Sequence, residues 1–201
     1  MGVGKESFSV EETEMLMRTV YFEGMPEEEL ARIGPEGCER LVEMLSDPGE
    51  RRNHGRVLVA IGYCAPEGGF EAIRDWSEMP RSGEIDRATF RAWQALPFAL
   101  GYLAERDPRA LAMLDARLSD PVAPDWTFRH HRGARLVQQS RRSAATCLAE
   151  TGLPEAGTAL QRAGRSASDA SFQEHLDEVR SLHLRKADER ARAAGNRGGR
   201  R

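Results

Sequence analysis

A proline opens the same short phrase four times along this chain: Pro35-Glu36-Gly37, Pro66-Glu67-Gly68, Pro108-Arg109-Ala110 and Pro154-Glu155-Ala156. An internal repeat constrains a fold strongly, because each unit must bury its apolar face against a neighbour of the same shape. The phrase itself makes physical sense as a helix start. Proline is pre-set for the first helical position, glutamate in the first turn complements the helix dipole in three of the copies, and a small residue follows where the chain packs closely. The helix expected after each phrase carries one column of Leu41, Ala72, Leu114 and Leu160 and a second of Cys38, Gly69, Leu111 and Gly157. A longer helix is expected to end before each later phrase. Its endings Ile61-Gly62-Tyr63-Cys64-Ala65 and Leu100-Gly101-Tyr102-Leu103-Ala104 match closely, and Cys147-Leu148-Ala149 matches more loosely. The phrase prolines lie 31, 42 and 46 residues apart, the size of a two-helix unit with loops of growing length.

Apolar residues follow the helical spacing i, i+3, i+4, i+7 nearly everywhere, as in Cys38, Leu41, Val42 and Leu45 or Val57, Leu58, Ile61 and Ala65. Period-two runs with hairpin signals are missing, so the fold class read from the residues is all-α. The segment Leu41-Val42-Glu43-Met44-Leu45-Ser46-Asp47-Pro48, followed by Arg51-Arg52 and Val57-Leu58-Val59-Ala60-Ile61-Gly62, resembles a HEAT repeat, in particular the HEAT-like form found in bacterial phycobilin-lyase proteins. The resemblance runs from about Ile33 to Ala163. It implies an α-solenoid, a right-handed superhelix of about four HEAT-like helical pairs with an N-terminal helical cap. The long loops Met79 to Glu84 and Asp120 to Asp125 depart from the repeat, and Pro97 should kink or break the helix that contains it. Residues 1–33 read as the cap, with a helix over Ser9 to Tyr21 and a short one over Pro26 to Ile33. Residues 34–184 read as the solenoid, closed by a helix carrying Phe172, Leu176, Val179 and Leu182. Residues 185–201 read as a basic, disordered tail.

Composition narrows the function. With 29 basic and 32 acidic residues the net charge is −3, so the whole molecule has no field that would draw it onto nucleic acid or anionic lipid. The charge is nevertheless polarised: residues 1–50 carry −9, residues 51–128 carry −1 and residues 129–201 carry +7. That asymmetry fits an acidic partner at the C-terminal end, head-to-tail self-association, or merely solvated surfaces of different sign. No apolar run reaches membrane-spanning length, and MGVGKESFSV has none of signal-peptide length, so a cytoplasmic location and no membrane partner are expected. Gly4-Lys5 and Gly2 fail as phosphate-loop and myristoylation signals, because Glu6 stands where Ser or Thr is needed. Cys38, Cys64 and Cys147 read as small core residues, not as a disulfide framework or zinc site. His54, His130, His131, His175 and His183 show no metal-ligand spacing, so no metal and no cofactor are expected. No nucleophile elbow or glycine fingerprint points to an enzyme.

One surface feature stands above this background. From Arg129 to Ala149 there are five arginines and no acid, and Arg132, Arg135, Gln139, Arg142 and Thr146 recur at alternating spacings of three and four. On a single helix these would form one stripe about 21 Å long. Arginine offers planar, bidentate hydrogen bonds to carboxylate or phosphate, so Arg129, Arg132, Arg135, Gln139 and Arg142 are the candidate binding residues. The resemblance places such a stripe on the concave, partner-binding side. It equally suggests an Asp-to-Arg ladder between repeats, pairing Asp47 with Arg52, Asp86 with Arg91 and Asp125 with Arg129 or Arg132. Arginine outnumbers lysine 27 to 2 throughout, which weakens any argument from arginine count alone. Trp76, Trp93 and Trp126, with Asp75 or Asp125, could cradle a base as in HEAT-like alkylpurine DNA glycosylases, but helical spacing favours a packing role. The expectation is a non-catalytic adaptor that presents its concave face to a protein with an acidic surface. The alternatives are a nucleic-acid-binding HEAT-like protein, less favoured, and a chaperone-like or lyase subunit handling a bound cofactor.

Overall fold

The structure is a computed structural model that describes residues 7–20 and 25–198. These residues are mostly helical. The helices are α1 (Val10–Arg18), α2 (Glu27–Leu30), α3 (Pro35–Ser46), α4 (His54–Cys64), α5 (Gly69–Glu78), α6 (Arg87–Leu103), α7 (Pro108–Ser119), α8 (Ala134–Thr151), α9 (Pro154–Ser166) and α10 (Ala170–Gly198). Two short strands, β1 (Gly83–Glu84) and β2 (Trp126–Thr127), pair in parallel.

Local sequence explains the helix starts. Ser9 accepts from the Glu12 N–H at 3.1 Å while Glu12 accepts from the Ser9 N–H at 2.8 Å, a reciprocal cap that opens α1. Tyr21, expected at the end of that helix, lies outside the described residues. Pro35, Pro108 and Pro154 are the first residues of α3, α7 and α9. Pro66 departs from this pattern. There α5 begins only at Gly69, after Gly68 takes a left-handed φ of 73° that suits glycine alone. The delay shifts the buried register by one residue, so Ile73 is fully buried where the repeat pointed to Ala72.

From α3 on, consecutive helices pack against each other, and α4, α6, α8 and α10 also pack in sequence side by side. These four run in the same direction. Gly55 lies opposite Ala92 and Gly62 opposite Ala99, while Arg142 reaches Ser171 and Thr146 reaches His175. The most extensive helix contact is α4 on α6, and Gly62 makes it possible: a Cβ there would overlap the Ala99 backbone. The core follows this layer, with Leu58, Ile61, Leu96, Leu100, Leu148 and Phe172 fully buried. Pro97 sits inside α6, which continues unbroken from Arg87 to Leu103. Leu96, Pro97, Ala99 and Leu100 are all buried, and that packing outweighs the lost backbone donor.

The C-terminal end also differs from expectation. Helix α10 runs to Gly198, well past Arg185. Ion pairs take over where apolar residues stop: Lys186 pairs with Glu150 at 3.2 Å, and Arg190 pairs with Glu105 and donates to the Thr151 carbonyl. Residues 199–201 of the expected tail lie outside the described residues. The cysteines are free, but α3 and α4 bring the Cys38 and Cys64 thiols together, and Cys38 and burial push the Cys64 thiol up.

Trp76 is a packing residue, 4% exposed, with its indole N–H donating to His54 Nδ1 at 3.1 Å. That bond leaves His54 Nε2–H to donate to the Asp47 carbonyl at 3.2 Å, so the fold holds one neutral tautomer. Burial holds the His54 imidazole below its ordinary 6.5. The unfolded chain therefore takes up this proton first. Stability from His54 is complete above pH 6.5 and declines as the pH falls from there toward the folded value. Burial lowers His131 as well, so the discriminating measurement is a difference. The melting temperature of the wild type should fall between pH 7 and pH 5.5 more steeply than that of His54→Gln, and parallel curves would remove His54 as the cause. The Glu50 carboxyl, held below its usual range by Arg18 at 2.5 Å, contributes stability that is lost only as the pH falls below 4.5.

Candidate binding surface

The expected stripe is divided by the structure. Helix α8 begins at Ala134, so Arg129, His130, His131 and Arg132 precede it. They form a tight turn in which Phe128 and His131 exchange backbone hydrogen bonds at 2.9 and 3.0 Å. Arg129 is held there at a left-handed φ of 53°, unusual for a side chain with a Cβ. Its N–H donates to Glu84 at 3.3 Å, and its guanidinium lies 5.3 Å from the Phe128 ring. Gly133 then turns the chain into α8 with a φ of 44°. Arg135, Gln139, Arg142 and Thr146 do lie along α8, but Arg142 is bound to the Ser171 carbonyl at 3.0 Å and the Ser171 hydroxyl at 2.7 Å. It ties α8 to α10. Arg132 and Arg135 are exposed, and neither side chain has an ion pair or hydrogen bond among the described residues.

The expected aspartate ladder is not formed among the described residues. Asp47 accepts from the Gly49 N–H, and Asp86 caps α6 through the Thr89 N–H and pairs with Arg51 at 3.1 Å. Ion pairs between units run instead along the other helices: Arg40 with Glu14 at 2.6 Å, Arg109 with Glu71 at 2.5 Å, and Arg162 with Asp115. The arginines nearest the candidate surface are left out of that scheme.

The structure adds two residues to the surface. Arg87 and Arg91 of α6 line a cleft of about 290 Å³ together with Phe90, Gln94, Phe128 and Arg129. Phe90 and Phe128 stack at 4.2 Å and floor it. Arg91 also faces Arg56 of α4, and burial, with this like charge added, lowers the Arg56 guanidinium. Arg56 itself is held by the Met17 carbonyl at 2.5 Å and by Asn53. Beside Arg135, the Nδ1 of His131 is buried without a hydrogen-bond partner among the described residues. The sequence contained a signal for Arg91, its place as an expected ladder partner, but the wrong partner was inferred. Arg87 carried none.

The direction of the helices gives these positions their electrostatic meaning. Because α4, α6 and α8 run alike, their N-termini form one edge. None has an acid in its first turn, whereas α1, α2, α3, α5 and α9 all do. Arginines at helix N-termini oppose the dipole, at a cost of about 0.3 to 1 kcal/mol each near the surface. The opposite edge is acidic and aromatic: Glu27, Glu105 and Glu150 surround a hollow of about 590 Å³ with Tyr63, Phe98 and Tyr102. Tyr102 donates to Glu27 at 2.8 Å, and Lys186 already pairs with Glu150.

Among the described residues no group of His, Cys, Asp and Glu could hold a metal ion, and no helix is long and apolar enough to cross a membrane. The tryptophans divide: Trp93 and Trp126 meet edge to face at 5.2 Å, while Trp76 bonds His54 in the main core, so no three-tryptophan cradle exists. Asp75 is exposed and pairs with its neighbour Arg74. No known protein family matches this chain, and no curated protein or solved structure matches it significantly.

Proposed function

We propose that the protein is a non-catalytic cytoplasmic adaptor, built as a right-handed HEAT-like solenoid, that holds an acidic protein partner on the basic edge of its α4, α6 and α8 layer. One observation carries this reading: Arg87, Arg91, Arg132 and Arg135 crowd the adjoining N-termini of α6 and α8 with no acid paired to them among the described residues. A fold that distributes ion pairs among its other helices leaves these charges uncompensated where the dipoles make them costly. Such charges suit a carboxylate-rich surface, which the dipoles would attract along with the guanidinium groups. The repeated glycine-tyrosine endings and the side-by-side second helices support the solenoid. The net charge of −3 favours a protein over the phosphate backbone of a nucleic acid. Immobilised full-length protein should therefore retain acidic proteins from a nuclease-treated lysate and release them as salt is raised. Retention of nucleic acid in place of protein when nuclease is omitted would favour the competing reading, and capture insensitive to salt would overturn the electrostatic basis of both.

A further inference from the structure

The two loops that break the repeat pattern border an open cleft of their own. Residues 79–82 and 120–125 follow α5 and α7, and pairing of β1 with β2 holds the two loops side by side. Pro80, Pro121 and Pro124 stiffen them. This open cleft has a volume of about 780 Å³, within the range of small-molecule sites. Its accessible apolar wall consists of Trp93 and Met113, with the buried Trp126 and Leu136 packed behind them. Two exposed apolar side chains, Met79 at 50% and Val122 at 87%, sit on the bounding loops.

Arg117 of α7 lines the same cleft. Its arginine neighbours all have work in the fold. Arg81 donates to the carbonyls of Trp76, Ser77 and Met79 and stacks over the Trp76 ring at 4.3 Å. Arg141 donates to the Leu118 carbonyl at 3.1 Å and lies over Phe172. Arg117 has no hydrogen bond or ion pair among the described residues, although burial pushes its guanidinium down to about 10. Arg117 is half-buried, and a partly buried cation without a partner beside an open, largely apolar cleft is placed to receive an anion from outside the chain.

We propose that this cleft binds a small organic monoanion, a carboxylate on an aromatic or branched aliphatic body, with Arg117 taking the carboxylate and Trp93 and Met113 taking the body. The acids at the rim define the charge. Glu78, Asp120 and Asp125 also line the cleft and are exposed. They would repel a dianion such as a phosphate monoester more than a single carboxylate. Arginine gives a monoanion two parallel hydrogen bonds, and the loop residues Met79 and Val122 stand where they could cover its apolar end.

The test uses two probes of the same shape on the full chain: 1-anilinonaphthalene-8-sulfonate, a monoanion, and N-phenyl-1-naphthylamine, its neutral counterpart. The folded wild type should bind the anion in one saturable step, at least about tenfold more tightly than the neutral probe. Arg117→Met should lower affinity for the anion about tenfold and leave the neutral probe within about twofold, with the helical circular dichroism intact. Ala116→Trp, which fills the cleft from α7, should abolish binding of both. Removing an unpartnered charge should also leave the melting temperature of Arg117→Met unchanged or raised. Equal affinity of the wild type for the two probes, an Arg117→Met variant that still prefers the anion, or a lowered melting temperature in that variant would each overturn the proposal.

Discussion

Replacing Gly62 by alanine should be the most destabilising single-methyl change in the described fold, while the same change at Gly101 should be tolerated. Both glycines occupy the same place in the repeated ending Gly-Tyr, and both are buried in the layer of parallel helices. Their surroundings differ. A Cβ on Gly62 would overlap the carbonyl group and Cα of Ala99, which are backbone atoms that no rotamer change can move. A Cβ on Gly101 would meet the Cys147 Cβ at 3.4 Å, close to ordinary contact. Overpacking of the first kind costs about 3 kcal/mol. Alanine's better helix propensity returns about 1 kcal/mol of that at either site. For a chain of this length each kcal/mol shifts the melting temperature by roughly 2 to 4 °C, so Gly62→Ala should fall several degrees and Gly101→Ala should stay level or rise. Equal effects at the two glycines would show that α4 and α6 do not approach each other as described.

The contrast between those glycines shows what the repeat made legible. The helix starts at Pro35, Pro108 and Pro154 and the buried column of Leu41, Leu114 and Leu160 follow from local chemistry and helical period, and the structure places them as expected. The sites that went astray depend on packing at a distance. Gly68 delays α5 by a left-handed turn that the phrase pattern hides, and buried neighbours hold α6 together through Pro97. A disordered tail is the sequence expectation because no apolar residue larger than alanine follows Leu184. The chain stays helical by pairing Lys186 and Arg190 with acids far away in sequence, which no periodicity count detects. At the candidate surface, Arg132 and Arg135 were found by spacing, yet that spacing assumed one continuous helix. Gly133 ends the continuity, and Arg142, counted with the others, is engaged with Ser171. Arg87 and Arg91 join the surface only because α6 runs parallel to α8, a fact of topology. The Met79 to Glu84 and Asp120 to Asp125 loops are visible in the sequence as departures from the repeat, but the cleft they border depends on the pairing of β1 with β2.

Reversing Arg132 and Arg135 to glutamate should weaken binding of an acidic partner at least about a hundredfold, because two attractive contacts become repulsive ones. The same double variant should be slightly more stable than the wild type. Arg135 stands in the first turn of α8 and Arg132 just before it, with no acid paired to either among the described residues. Glutamates there complement the helix dipole and should contribute about 0.3 to 1 kcal/mol each. Arg142→Glu should behave in the opposite way. It breaks the bonds to the Ser171 carbonyl and hydroxyl that join α8 to α10, so it should lower stability by about 1 to 2 kcal/mol, with binding reduced only as folding is. The two readings of these arginines therefore differ in sign. If Arg132 and Arg135 were structural partners of loop aspartates, their reversal would set acid against acid and lower the melting temperature. If they serve recognition, affinity falls while the melting temperature rises, because this edge carries charges that the helix dipoles themselves disfavour. Measuring both quantities on the double variant and on Arg142→Glu decides the matter, and a stable double variant with undiminished affinity would remove the basic edge as the binding surface.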